Sequence, residues 1–178
     1  MIIIEQAKCK IDSEEFNTMY SILINAYAQA ELEIWGENYF RISKEEYQIL
    51  IEKKEVFFAK KDNVIVGCIH FHKIITETYS FGLLAVDFNY KGLGIGRVLI
   101  NHVENIAKNN GAQYMELVIL KAKNFDIENK TILKNWYQRL GYGYKSSHTF
   151  LEIEPKRIEK SKKLITPSIF DFYRKNLT

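Results

Sequence analysis

Apolar side chains recur at helical spacing in four stretches of the chain. The first is residues 13–34, whose apolar stripe consists of Phe16, Tyr20, Leu23, Ile24 and Tyr27. Ser43 and Glu46 form a capping box, which predicts a second helix that ends near residue 52. Residues 97–110 and 130–140 predict two more helices, each followed by a glycine suited to a helix end. The pattern therefore predicts about four helices.

Between these helices the pattern changes to short apolar runs, which predict strands. Residues 1–10 are expected to form the first strand, and residues 56–59 and 64–72 a hairpin that turns at Asp62 and Asn63. The run 79–86 is apolar at nearly every position, so we expect a central strand with both faces covered. Residues 114–120, 144–153 and 169–173 complete the strands. This order predicts one α/β domain over residues 1–178, with a mixed sheet of about seven strands.

Composition narrows the class of protein. The chain has 178 residues, of which 47% are hydrophobic and 26% charged, and a net charge of +3, which gives no nucleic-acid footprint. Its basic cluster, residues 156–163, is typical of a solvated loop. Cys9 and Cys68 have no metal-type spacing and suggest no disulfide framework. No apolar run has the length of a signal peptide or a membrane span. We therefore expect a cytoplasmic protein that contacts neither nucleic acid nor membrane.

A glycine-rich stretch, Lys91-Gly92-Leu93-Gly94-Ile95-Gly96, lies between an apolar run and a predicted helix. Glycines let the backbone approach a phosphate closely, and a helix N-terminus favours an anion. The alternative is a tight turn that binds nothing. A nucleotide-binding Walker loop is excluded because no hydroxyl residue follows the glycines. The dinucleotide fingerprint has different glycine spacing, and its acidic partner would be Glu116, which lies inside a predicted strand.

This stretch resembles the signature of the GNAT superfamily of acetyl-CoA-dependent N-acetyltransferases, Gln/Arg-x-x-Gly-x-Gly/Ala, with Lys91 in the first position. A second block, residues 136–142 (WYQRLGY), resembles the family's Phe-Tyr-x-x-Leu-Gly-Phe motif. With the hairpin and the last strand, the resemblance covers nearly the whole chain. It implies the GNAT fold, in which the mixed central sheet splays open between the strands at 79–86 and 114–120.

The resemblance also implies where acetyl-CoA would bind. Its pyrophosphate would accept hydrogen bonds from the N–H groups of residues 93–97, with Lys91 and Arg97 as charge partners. Its pantetheine arm would pair with the backbone of Leu84 and Val86, as an added strand would. The implied binding residues are Leu84, Val86, Lys91, Gly92, Leu93, Gly94, Ile95, Gly96, Arg97 and Asn129.

In the family mechanism an amine attacks the thioester of acetyl-CoA directly, without a metal. A backbone N–H near Leu84 or Val86 would polarise the thioester carbonyl, and Tyr137 would protonate the leaving thiolate. The alternative for Tyr137 is a packing role. For the base that deprotonates the amine, Asp87, Glu116 and the histidines are candidates of equal standing, and water is another.

Two other groups of residues could contribute chemistry. Cys68, His70 and His72 share one face of a strand, but Cys68 and His72 lie about 13 Å apart at about 3.3 Å per residue, too far for one zinc ion. We therefore expect a partly polar sheet face towards a helix or the substrate groove. His102 is expected to be exposed.

The resemblance also implies that residues 28–42 form one wall of the acceptor site. A cationic amine could be held there by three acids and two rings, unless the segment is a solvated helix end beside a packed aromatic pair. The residues concerned are Glu31, Glu33, Trp35, Glu37 and Tyr39.

Three functions follow from the resemblance. The first is acetylation of a small-molecule primary amine, such as a polyamine, amino sugar or amino acid. The second is acetylation of a protein lysine or N-terminus, and the third is acyl-CoA binding without catalysis. The intact glycine loop and Tyr137 favour an enzyme. Dimerisation is common in the family, and the late strands could mediate a homodimer.

Overall fold

The computed structural model describes residues 1–153, 155 and 158–178, so part of the basic cluster at 156–163 lies outside the described residues. Within them the chain forms seven strands and seven α-helices. In chain order these are β1 Ile2–Gln6, α1 Ser13–Ala30, α2 Leu32–Trp35, α3 Lys44–Glu52, β2 Val56–Lys61, β3 Val64–Ile75, β4 Thr78–Val86, α4 Ile95–Asn109, β5 Tyr114–Ala122, α5 Glu128–Arg139, β6 Gly143–Thr149, α6 Phe150–Ile153, α7 Ile158–Ser161 and β7 Ser168–Asn176. Since α2, α6 and α7 are single turns, α1, α3, α4 and α5 correspond to the four predicted helices.

One mixed sheet organises the molecule. Its strand order is β1-β2-β3-β4-β5-β7-β6, so β4 is the central strand, as its apolar sequence predicts. The pairing between β4 and β5 is parallel and all the other pairs are antiparallel. The α/β class and the mixed seven-stranded sheet are thus confirmed.

Helices cover both faces of this sheet. Alternate residues of β2, such as Phe57 and Ala59, pack in the cluster that contains α4 and α5. The residues between them, such as Phe58, pack with α1 and α3 in a second cluster. A third cluster joins α2 and α6 to β5 and β7. Among the described residues, no helix is both long and apolar enough to cross a bilayer.

Local signals in the sequence act as expected at several element ends. The capping box of α3 is present, because Ser43 accepts from the Glu46 N–H and the Glu46 carboxylate accepts from the Ser43 N–H. The β2–β3 hairpin turns at Asp62 and Asn63, which have φ of 52° and 65° as a tight two-residue hairpin turn requires.

Several element boundaries differ from the prediction; β1 ends at Gln6 rather than at residue 10, and β7 continues to Asn176 rather than ending at residue 173. The helix expected over 13–34 breaks at Glu31, which separates α1 from α2. The strand expected over 144–153 ends at Thr149, because Thr149 and Glu152 cap the helical turn α6. That turn places Phe150 edge-on against the Trp35 ring, with the ring centroids 6.1 Å apart.

Candidate active site

The glycine-rich loop needs its three glycines for two different reasons. Gly92 and Gly94 have φ of 83° and 77°, a left-handed conformation that other residues rarely adopt. A Cβ at either position would have no atom of the described residues within 4 Å, so open space lies above the loop. Gly96 instead allows close packing, because a Cβ there would lie 3.3 Å from Cη2 of Trp136. The loop therefore forms an open cradle with one tightly packed side.

Helix α4 begins inside this loop. Gly94 is its N-cap and supplies no side-chain hydrogen bond to the first turn, and that turn contains no acidic residue. The first N–H groups of a helix have no partner within the helix, and the helix dipole makes this end positive. The start of α4 is therefore suited to bind an anion, and Arg97 adds a positive charge to it.

The loop opens into a groove of about 1360 Å³ between α1, β4 and α5. All the residues implied for acetyl-CoA binding line this groove except Leu93, whose exposed side chain lies outside it. Tyr137 also lines the groove. The structure thus brings together residues that are up to 53 positions apart in the sequence, from Leu84 to Tyr137.

At the groove, β4 separates from β5. The two strands pair from Thr78 to Ser80 on β4, which face Tyr114 to Glu116 on β5. Beyond Gly82, β4 forms a bulge at Leu83 and Leu84. Gly82 pairs with His70 and Ala85 with Cys68, so Leu83 and Leu84 together oppose a single residue of β3. Leu83 has φ of 46°, the left-handed conformation that such a bulge produces.

Tyr137 lies on α5 at the inner end of the groove. Its side chain is 6% exposed, and its ring packs against Phe81 and Tyr142. Burial, with a smaller contribution from Tyr27, raises the pKa of the Tyr137 phenol above its ordinary value of about 10. Tyr137 therefore keeps its proton at neutral pH, but it is a weaker acid than a solvated tyrosine.

Tyr27 reaches the same place from α1. Burial raises the pKa of its phenol, whereas the positive charge of Arg41 and a hydrogen bond with the backbone of Leu84 oppose that effect. Two protonated phenols, Tyr27 and Tyr137, thus line the groove together with Leu84, the residue beside the bulge.

Asn129 and Lys130 are at the start of α5. The Asn129 side chain is exposed and lines the groove. Lys130 is buried, and its Nζ lies 3.0 Å from a carboxylate oxygen of Glu31. The other oxygen of Glu31 accepts from Trp35 Nε1 at 3.0 Å. This buried ion pair joins α5 to the junction of α1 and α2 across the splayed sheet.

The contacts of residues 28–42 indicate packing within the protein rather than a binding position for a cation. Glu31 is already paired with Lys130, and the rings of Trp35 and Tyr39 stack with centroids 4.2 Å apart. Glu33 and Glu37 are exposed. The stacked rings therefore agree with the alternative interpretation, in which this segment is a solvated helix end beside a packed aromatic pair. Glu31 differs from that interpretation because it is buried instead of solvated.

Three candidate bases, Glu116, Asp87 and His102, have contacts within the protein, although Asp87 also lines the groove. Burial would raise the pKa of Glu116, but hydrogen bonds and charge from Lys145 and Arg174 outweigh it, so the pKa is lowered. Asp87 accepts from the Asn89 N–H at the end of β4. His102 was expected to be exposed, but it is half-buried, with its ring centroid 5.4 Å from that of Phe57.

The residues Cys68, His70 and His72 do not act as one cluster. Cys68 is buried under α1, whereas His70 contacts Glu55 and stacks on His72. Across residues 1–153, 155 and 158–178, no three His, Cys, Asp or Glu side chains are grouped so that they could hold a metal ion.

One side of the groove was missed by the sequence reasoning. Helix α1 lines it with a polar face whose residues recur at intervals of four: Asn17, Ser21, Asn25 and Gln29. The signal is visible in the sequence, because this face carries short or uncharged polar residues where a solvated helix usually has Lys and Glu.

Comparisons with known proteins agree with this geometry. A sequence model described as the acetyltransferase (GNAT) family matches residues 16–142. A search of curated proteins finds no match.

Solved structures of similar fold include several acetyltransferases at low sequence identity. The PaiA N-acetyltransferase from Thermoplasma acidophilum, in complex with coenzyme A, has a TM-score of 0.72 at 16% identity, covering 99% of both chains. A GNAT family acetyltransferase from Elizabethkingia anophelis with acetyl-CoA bound has a TM-score of 0.65 at 19% identity, covering 98% of this chain and 97% of that one.

The ribosomal-protein-S18-alanine N-acetyltransferase from Escherichia coli has a TM-score of 0.65 at 12% identity, covering 100% of this chain and 95% of that one. At these identities the likeness establishes the fold, while the family match spans most of the sequence. The chain belongs to the acetyltransferase (GNAT) family.

Proposed function

We propose that this protein is an N-acetyltransferase that moves the acetyl group of acetyl-CoA directly to the primary amine of a small molecule. The observation that carries the proposal is the junction of three features in one groove: the open glycine cradle, the N-terminus of α4 and the splayed end of β4. The cradle and the helix N-terminus suit the pyrophosphate of acetyl-CoA, and the splayed end of β4 suits its extended pantetheine arm.

The fit of acetyl-CoA rests on chemistry that this chain supplies. The N–H groups at the start of α4 would donate to the pyrophosphate, and Lys91 and Arg97 would offset its charge. Open space above Gly92 and Gly94 leaves room for the phosphates. The pantetheine arm would lie along Leu84 and Val86, on the edge of β4 that turns away from β5. Asn129 lines the groove near that arm's path.

The thioester would then lie near the bulge in β4. There a backbone N–H near Leu84 or Val86 would stabilise the oxyanion that forms when the amine attacks the carbonyl carbon. The C–S bond breaks, and Tyr137 would supply the proton that the departing thiolate needs. Since burial raises the pKa of Tyr137, proton transfer depends on the thiolate being equally desolvated in the groove.

A small acceptor is favoured over a protein by the packing beside the splayed sheet. Two residues from the described parts of the stretch between β6 and β7 contact α2: the Ile165 N–H donates to the Ile34 carbonyl at 2.9 Å, and Phe150 packs on Trp35. If residues 28–42 border the acceptor, as the family resemblance implies, these contacts would close that side, where Ile34, Trp35 and Phe150 are buried. An extended peptide would need that side to be open.

We place the reaction in the cytoplasm, where Cys9 and Cys68, both free in this structure, would stay reduced. A homodimer through the late strands stays a prediction; β6 lies at an edge of the sheet, where a second copy could pair.

The proposal is tested by measuring thiol release from acetyl-CoA in the presence of spermidine, glucosamine, lysine or a lysine-containing peptide. We expect one of the small amines to be acetylated faster than the peptide, with the product verified by mass. Faster acetylation of the peptide would reverse the assignment of substrate class. Tight acetyl-CoA binding without acetylation of any amine would instead indicate a binding module.

A further inference from the structure

A polar surface lies on the sheet face that α1 and α3 partly cover, immediately beside the bulge in β4. Its residues are two facing pairs: His70 opposite Gly82, and His72 opposite Ser80. Residues directly opposite in an antiparallel pair have side chains on the same face, so all four share this surface. Cys68, two residues earlier on the same face, is already buried under α1.

Open space lies above Gly82. A Cβ at that position would have no atom of the described residues within 4 Å, and the φ of Gly82 is one that other residues adopt. Gly82 lies two residues beyond Ser80, the last residue of β4 that pairs with β5, and immediately before Leu83 in the bulge. Gly82 does not itself line the acetyl-CoA groove, but Leu84, two residues later on β4, does, so the open space lies two residues along the strand from the place proposed for the thioester.

His70 is held beside this space. Its Nε2 lies 3.0 Å from a carboxylate oxygen of Glu55, and the two side chains are 14% and 27% exposed. The ring stacks on His72 with centroids 4.7 Å apart. Backbone contacts fix Glu55 as well, since the Phe71 N–H donates to its carbonyl at 2.7 Å. The imidazole is thus held from two sides.

Burial favours the neutral form of His70. Burial lowers its pKa below about 6.5; Glu55 opposes this effect, and the positive charge of Lys53 reinforces it. Burial also lowers the pKa of His72, with His70 as a smaller cause. Gly82, which faces His70 from β4, and Val56, which faces it from β2, carry no charge. With Nε2–H donating to Glu55, neutral His70 has its lone pair on Nδ1.

We propose that His70, positioned by Glu55, accepts the proton of the substrate ammonium in the open space above Gly82. This inference rests on the proposed acetyl transfer. The ammonium gives one proton to Nδ1 of His70 and becomes a neutral amine. Its nitrogen then forms a bond to the thioester carbon, loses a second proton and becomes an amide, while the C–S bond breaks and the thiolate takes one proton. Overall, one proton passes to solvent.

The test compares His70→Gln and Glu55→Gln with wild type in the thiol-release assay, using the fastest of the four acceptors above from pH 5 to 10. His102→Gln is the matched control, since His102 is a half-buried histidine on α4 outside this surface. Calorimetry with acetyl-CoA checks that each variant still binds it.

We expect wild-type kcat/KM to fall at acid pH with a midpoint below about 6.5, where His70 becomes protonated. His70→Gln should lower the rate at pH 7 by roughly 10²-fold to 10⁴-fold. The rate of this variant should then increase with pH until the pH reaches the pKa of the substrate amine itself. Glu55→Gln should move the acid midpoint to lower pH, because Glu55 raises the pKa of His70. His102→Gln should match wild type.

The inference is overturned if His70→Gln keeps the wild-type pH profile, whether or not its rate is reduced, because a structural role would give that result. If His70→Gln does not fold, Glu55→Gln decides, and an unmoved acid midpoint overturns the inference. With either variant as the deciding test, acetylation by the wild-type protein would still support the proposed function. Absence of acetylation by wild type would contradict the proposed function, and this inference with it.

Discussion

The two halves of β4 differ in how they pair with the neighbouring strands. The first half, Thr78 to Ser80, is paired on both edges, and the Ser80 hydroxyl donates to the Glu116 carbonyl. Beside it, the buried carboxylate of Glu116 is paired with Lys145 and Arg174. The second half, from Gly82 to Val86, bulges away from β5 and borders the groove.

The difference shows how one strand can provide both stability and a binding site. The paired half fixes the register of β4 between its neighbours. The other half, which is unpaired with β5 but still pairs with β3, can therefore present free backbone groups on one edge without unfolding. Changes in the paired half should therefore lower stability and spare ligand binding, and changes around the unpaired half should do the reverse. The following predictions test that division.

The largest effect is expected at the glycine loop. Gly94→Val should weaken acetyl-CoA binding by more than about 100-fold, or about 3 kcal/mol, because a side chain in the left-handed conformation distorts the cradle and blocks its N–H groups. Gly111→Val is the matched control: Gly111 has φ of 80° and open space around it, but ends α4 far along the chain from the loop. Both variants should lose similar stability, about 1–2 kcal/mol. Equal loss of binding in both would contradict the cradle.

Tyr137→Phe should lower kcat by roughly 10-fold to 100-fold and leave the affinity for acetyl-CoA nearly unchanged, if Tyr137 protonates the thiolate. Tyr142 is the control in the same aromatic cluster. Its hydroxyl donates to Glu104 at 2.6 Å, so Tyr142→Phe should cost about 1–2 kcal/mol of stability and keep kcat. A Tyr137→Phe enzyme with wild-type kcat would make Tyr137 a packing residue.

At the paired half of β4, Glu116→Gln should lower the free energy of unfolding by about 1–2 kcal/mol at pH 7, as the partly exposed Lys145 and Arg174 lose their shared partner. Acetyl-CoA affinity should not change. Because the pKa of Glu116 is lowered in the folded state, its contribution is complete above the unfolded value of about 4.3 and is lost as pH falls through the folded value. Urea denaturation at pH 7, 5 and 3 should therefore show the two proteins converging only at the lowest pH.

The smallest effect is expected at the packed side of the loop. Gly96→Ala adds a methyl group 3.3 Å from Cη2 of Trp136, which a small movement of the ring can accommodate. We expect acetyl-CoA affinity to fall by roughly two-fold to five-fold, or less than about 1 kcal/mol. A loss as large as that of Gly94→Val would mean that all three glycines serve the same purpose.

The features that the sequence predicted well depend on short-range rules. The capping box at Ser43, the hairpin turn at Asp62 and the strand–loop–helix order around Gly94 each involve residues within a few positions of one another. Their geometry is set by local hydrogen bonding and allowed backbone angles, which a sequence displays directly. The resemblance to the family then related these segments to one another.

The features it missed depend on contacts between distant segments. Glu31 was interpreted either as part of an amine-binding wall or as a solvated residue at a helix end, but it is buried in an ion pair with Lys130, 99 positions later. The groove-lining face of α1 and the contact between Glu55 and His70 likewise appear only when strands and helices pack. The end of β6 is different: Thr149 and Glu152 form a cap that the sequence contains, although the apolar residues after it favoured a longer strand.

The central claim is that the glycine cradle and the start of α4 bind the pyrophosphate of acetyl-CoA. The most direct test is titration calorimetry of the wild-type protein with acetyl-CoA, S-acetylpantetheine and adenosine, of which only the first contains a pyrophosphate. The account predicts one acetyl-CoA bound per chain, at an affinity at least about 100-fold higher than that of either fragment. Equal affinity for acetyl-CoA and S-acetylpantetheine, or no binding of acetyl-CoA, would contradict it.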